Sequence, residues 1–161
     1  MINLLGEYDC KIDSKGRFMF PAGLKKQLGT EAEKGFVVNR NLHADCLVVY
    51  PIDEWEKLNR GLRKLNRLIK KNDDFVRRVM GGATPVSLDG VGRFLVPKPL
   101  ASSAEIAKEV AVVGSGGVIE IWNKSKRTNA MSEDLDIEAL AEEVMGDVSF
   151  DRDLQKKFRI D

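Results

Sequence analysis

Asp13-Ser14-Lys15-Gly16-Arg17-Phe18-Met19-Phe20-Pro21 returns later in the chain as Asp89-Gly90-Val91-Gly92-Arg93-Phe94-Leu95-Val96-Pro97. Asp, Gly, Arg, Phe and Pro coincide at an offset of 76, and apolar residues fill both positions between Phe and Pro. A repeat of this kind constrains the architecture more than any local propensity does. The echo continues outward. Leu24 answers to Leu100, Phe36-Val37-Val38 to Val110-Ala111-Val112, and Cys46-Leu47-Val48-Val49-Tyr50 to Val118-Ile119-Glu120-Ile121-Trp122. The offset shrinks by a few residues along the way, which places the deletions in loops, where length changes cost least.

Each copy reads mostly as strand. Glu7–Ile12 is a strand candidate, and Asp13–Gly16 carries Asp first and Gly fourth, as a type I turn prefers. Arg17–Phe20 resumes the strand and Pro21 stops it. A short helix over 22–28 ends at Gly29. Segments 36–39 and 46–50 form a hairpin. The second copy repeats the order: 83–88, the turn at 89–92, 93–96, a helix near 100–104, then 109–113 and 118–122. Gly114-Ser115-Gly116-Gly117 reads as a hairpin link rather than a phosphate cradle, because no Lys-Ser/Thr follows it. Neither copy is long enough to bury a core alone, so the two are expected to share one. The fold class is mostly β with helices (α+β). It divides into a first repeat over 5–52, a helical linker over 53–82, a second repeat over 83–125 and an acidic C-terminal tail over 126–161.

The linker carries Trp55, Leu58, Leu62, Leu65 and Ile69 in steps of three and four, an amphipathic stripe. Asp53 is the expected N-cap, Asn72-Asp73-Asp74 the expected break, and 75–80 a second helix. Between Lys57 and Arg78 stand nine Lys and Arg against two Asp. From Met131 to Asp161 stand ten Asp and Glu against four Lys and Arg. There Ile137, Leu140, Ala141 and Val144 share one helical face, with Asp136 as cap and Gly146 as stop.

Composition narrows the function. The 161 residues are 43% hydrophobic and 32% charged with a net charge of +1, which is a globular balance. No stretch approaches the ~20 apolar residues of a membrane span, and the N-terminal residues lack the basic and apolar segments of a secretion signal. A cytoplasmic location is expected. Two cysteines without a CxxC and a single histidine, His43, predict neither a disulfide framework nor a zinc site. Cys10 and Cys46 read as small core residues, Trp55 and Trp122 as core or interface aromatics, and His43 as a solvated loop residue. With no nucleophile motif and no ligand cluster, an enzyme is not expected, and neither a cofactor, a metal nor a small-molecule substrate.

The duplicated turn invites two readings. A fold needs the repeated Asp, Gly and Pro, and Asp13–Arg17 and Asp89–Arg93 could serve as ion pairs alone. A guanidinium at the start of a strand could also fork onto guanine O6 and N7, the commonest specific base contact, while the Asp holds it in one rotamer.

The chain resembles the MraZ family of bacterial transcriptional regulators, tandem members of the SpoVT/AbrB-like swapped-hairpin barrels. The resemblance rests on Gly6-Glu7-Tyr8, Asp13 to Arg17 with Pro21-Ala22, Leu47 to Pro51 running into Glu54-Trp55, Gly82-Ala83, Asp89 to Arg93 with Pro97, and Ile119 to Trp122. It implies a barrel built from both repeats and a homo-oligomeric ring. The ring would bind double-stranded DNA at G-rich direct repeats upstream of the division and cell-wall gene cluster, on the nucleoid. Carried over by position, Asp13, Lys15, Arg17, Asp89 and Arg93 would contact DNA. Two departures stand out: Met1 to Leu5 lacks the usual Met-Phe, and Val91 occupies the position of Lys15, so the two turns would bind unequally. The alternative is an antitoxin-like DNA-binding protein whose tail holds a partner.

Overall fold

The structure, a computed structural model, describes residues 2–146; the last part of the acidic tail, 147–161, lies outside the described residues. The chain divides into two compact units, Met1–Thr128 and Asn129–Asp161.

The first unit is α+β. Its strands are β1 (Glu7–Lys11), β2 (Arg17–Met19), β3 (Phe36–Arg40), β4 (Leu47–Pro51), β5 (Thr84–Val86), β6 (Arg93–Leu95), β7 (Glu109–Ser115) and β8 (Val118–Asn123). Helix α1 (Ala22–Leu28) follows β2, α2 (Ile52–Arg63) and α3 (Lys70–Met80) link the repeats, and α4 (Lys98–Ser103) follows β6. Six strands form one antiparallel sheet in the order β1-β7-β8-β4-β3-β5, and β2 and β6 form a separate two-stranded ribbon.

The pairing crosses between the repeats. β3 pairs with β4, and β7 with β8, as the hairpin signals predict. The opening strand of each repeat leaves its own copy: β1 pairs with β7, and β5 with β3. The ribbon joins the copies a third time, with Arg17 opposite Leu95, Phe18 opposite Phe94 and Met19 opposite Arg93. Each repeat thus completes the other's sheet.

One core results. Alternation turns Phe36 and Val38, Leu47 and Val49, Val110 and Val112, and Ile119 and Ile121 inward from four strands, all fully buried. Phe18 and Phe94 stack at 5.3 Å between ring centroids, and Phe20 and Phe36 complete the aromatic group. Leu24 and Leu100, matched in the sequence, both lie in this core.

The linker departs from expectation in two places. α2 starts at Ile52 after Pro51, and Asp53 does not cap it; Asp53 sits in the first turn with its carboxylate 3.4 Å from Lys34 Nζ. The helical break falls at 64–69, not at Asn72-Asp73-Asp74, which lie inside α3. Asn66 accounts for the break, because its side-chain oxygen accepts from Leu68 N at 3.0 Å and competes with helix continuation. Asp73 and Asp74 are held within α3 by Arg77 and Lys70. The apolar stripe therefore ends at Leu65. Leu58, Leu62 and Leu65 pack against Val76 and Val79 in a small second cluster.

Helix α5 (Lys124–Met131) follows β8. In the second unit, α6 (Ile137–Met145) begins where expected: the Asp136 side chain accepts from Ala139 N at 3.1 Å, and Gly146 follows its last turn.

Candidate nucleic-acid interface

The two turns are built alike. Asp13 N donates to Arg17 O at 2.8 Å and Gly16 N to Asp13 O at 3.1 Å; Asp89 N donates to Arg93 O and Gly92 N to Asp89 O, both at 3.0 Å. Gly16 and Gly92 take φ values of 84° and 88°, a left-handed conformation that explains why glycine recurs here. One carboxylate oxygen of Asp13 accepts from Lys15 N and Arg17 N, and the other from Arg17 Nε, all at 2.9 Å. Asp89 repeats the pattern on Val91 N, Arg93 N and Arg93 Nε at 3.1, 2.8 and 2.7 Å. The backbone N–H of Arg17, joined by the guanidinium, pulls the Asp13 carboxyl down to about 2, and Asp89 is lowered for the same reasons. Both are therefore charged at neutral pH.

The ion pairs that a purely structural reading expects are thus present. They leave the arginines with donors to spare. Arg17 and Arg93 keep 25% and 35% of their side-chain surface exposed. Among the described residues, no hydrogen bond uses the Nη1 group of either. A guanidinium fixed through Nε presents its remaining N–H edge without the ordering cost of a free side chain.

Register decides where those edges sit. Phe18 and Phe94 point into the core, so Arg17, Met19, Arg93 and Leu95 stand on the opposite, outward face of the ribbon. The arginines occupy diagonal corners, about 7–8 Å apart by ordinary sheet geometry. That is roughly two base steps at ~3.4 Å. A two-stranded ribbon is also narrow enough to enter a major groove.

Of the expected site residues, the structure brings all five to this end: Asp13 and Lys15 are exposed in the first turn, Asp89 in the second, and Arg17 and Arg93 half-exposed on the ribbon. Sequence reading missed their cationic surroundings. One groove beside the first turn runs past Lys11, Asp13, Lys108 and Lys124, and another past Lys15, Gly16 and Lys98. The groove beside the second turn contains Lys25 alone among cations, next to Met19, Val91 and Gly92. The lysines are far apart in sequence and meet only on folding.

The other candidates fall away. His43 is exposed, its N–H donating to Asn41 Oδ1. Burial pushes the Cys46 thiol up to about 12 and raises Cys10 as well, so neither is poised as a thiolate. Both cysteines are free.

A pseudo-symmetric pair of Asp-anchored arginines, offered on one ribbon by two interlocked repeats, defines a tandem-repeat β-ribbon protein with a cationic rim. The profile of the family described as "MraZ protein, putative antitoxin-like" matches the chain twice, over residues 4–78 and 79–145. A protein of Christiangramia forsetii named "Transcriptional regulator MraZ" is 45% identical over 94% of this chain and 98% of its own length. Proteins of the same name from Flavobacterium psychrophilum and Phocaeicola vulgatus are 43% and 34% identical over 94% and 90% of this chain, and over 97% and 95% of their own lengths. The chain belongs to the MraZ family. These relatives are named as transcriptional regulators, and the second family match reaches through α6.

Proposed function

We propose that this chain is a sequence-specific DNA-binding transcriptional regulator whose two turns read guanines in a major groove. The observation that carries the reading is the outward ribbon face, where Arg17 and Arg93 stand together with Nε held by aspartate and Nη1 unused among the described residues. Lys15 extends the first turn toward a phosphate or base, and Lys11, Lys98 and Lys108 add sequence-independent attraction. The regulator names of the relatives support the reading. By family resemblance its targets are G-rich direct repeats upstream of the division and cell-wall genes, on the nucleoid. One ribbon offers little contact area, so a homo-oligomeric ring that engages several repeats at once would supply avidity. Among the described residues no helix is long and apolar enough to cross a membrane.

A second reading is favoured by α6, whose Ile137, Leu140 and Val144 are exposed along one face. In the antitoxin-like use, that face would hold a protein partner.

The test is a salt-titrated binding assay on the chain's own upstream DNA, with guanine-run and scrambled probes. Arg17→Ala is expected to weaken specific binding by about 1–3 kcal/mol and to leave scrambled-probe binding nearly unchanged. Unchanged affinity on the guanine-run probe would refute the assignment.

A further inference from the structure

The two turns share a backbone but not a surface. At the tip of the first, Lys15 is exposed; at the same position of the second stands Val91, 63% exposed. Met19, directly across the ribbon from Arg93, is 57% exposed. Its Sδ lies 3.7 Å, and Lys25 Nζ 3.8 Å, from where a Cβ on Gly92 would stand, so both lean over the second turn. Met19, Val91 and Gly92 line one groove, with Asp9 and Lys25 as its charged members. Arg93 is therefore flanked by two exposed apolar side chains. Leu95 leans over the first turn in the same way, with its Cδ1 3.8 Å from the Cβ position of Gly16, but its neighbour at that tip is a lysine.

Neither Met19 nor Val91 contributes to the core, and both lie where strand alternation and a turn tip call for polar residues. We infer that they form an apolar seat for the C5 methyl of a thymine adjacent to the guanine taken by Arg93. The inference rests on the DNA-binding reading above and adds a base preference to it. Thymine alone among the four bases shows a methyl group in the major groove, where apolar side chains recognise it. A protein surface covering Met19 and Val91 would also have to cover the free guanidinium edge of Arg93 and pair it. A guanine next to a thymine provides acceptors and methyl together. Each turn then has a cation for a phosphate, Lys15 at the first and Lys25 at the second, and only the second adds a preference for thymine beside its guanine.

The test uses guanine-run duplexes with a thymine at each flanking position in turn, compared with the same duplexes carrying deoxyuridine, which lacks only the methyl. Wild type should bind the thymine duplex about fourfold more tightly at one flanking position, the worth of one buried methyl group. Met19→Ser with Val91→Ser should bring the ratio to one while keeping the preference for guanine over scrambled DNA; a thermal melt checks that the variant is folded. A wild-type ratio of one at every position, with Arg93→Ala still weakening binding, overturns the inference and leaves the DNA-binding reading standing. If Arg93→Ala has no effect, the reading itself fails. If the double variant keeps the thymine preference but alters subunit association in sedimentation, the patch is a contact between copies and the inference is wrong.

Discussion

Arg17→Ala combined with Arg93→Ala is expected to abolish sequence preference, with a loss of about 2–6 kcal/mol on a guanine-run probe if the two contacts add. Neither side chain helps to build the core, so the double variant should fold. What remains is attraction to phosphate through Lys11, Lys15, Lys98 and Lys108, equal on guanine-run and scrambled probes and steeply weakened by salt. The aspartates would still hold the turn backbone through Lys15 N and Val91 N, which separates loss of a base contact from loss of the turn. Paired binding isotherms at several salt concentrations check this. A variant that keeps its guanine preference contradicts the account.

The second large effect is on stability. Phe94 is fully buried, and its ring centroid lies 5.3 Å from Phe18, 6.5 Å from Phe20 and 6.2 Å from Phe36. These four rings come from both repeats and back the ribbon that carries the arginines. Phe94→Ala removes the ring and leaves a cavity that rigid sheet neighbours cannot fill, at an expected cost of about 3–5 kcal/mol. A urea unfolding curve should show a markedly lower midpoint; a midpoint equal to wild type would mean that the ring is not part of the core. Met19→Ala, one residue from buried Phe18 but on the outward face, should leave the curve nearly unmoved.

That contrast shows what sequence can and cannot reveal. The duplicated Asp-x-x-Gly-Arg turns, both hairpins and the Asp136 cap were legible because each depends on residues close in the chain. The partner of each opening strand was not. Alternation says which face of β1 is buried, but not that β7 rather than a strand of its own repeat lies beside it. The linker break was misplaced because Asn72-Asp73-Asp74 is a breaker only in isolation; α3 supplies Lys70 and Arg77 to hold the two aspartates. Asn66, a single residue with a local side-chain bond, made the turn instead. The repeat alone marked Asp13, Arg17, Asp89 and Arg93 as candidates; Lys15, whose counterpart is Val91, entered only through the family resemblance. The other lysines around the first turn could not be found either way, since they lie on β1, α4, α5 and the segment before β7. Met19 and Leu95 were readable in principle: with Phe18 and Phe94 inward, their neighbours must face out, and both are apolar.

The central claim is that the Asp-held guanidinium edges of Arg17 and Arg93 fork onto guanine. Replacing the guanines of the probe with 7-deazaguanine removes the N7 acceptor and leaves base pairing intact. The account predicts that wild type then binds markedly more weakly while the double arginine variant binds both probes alike. Equal wild-type affinity for the two probes would contradict it.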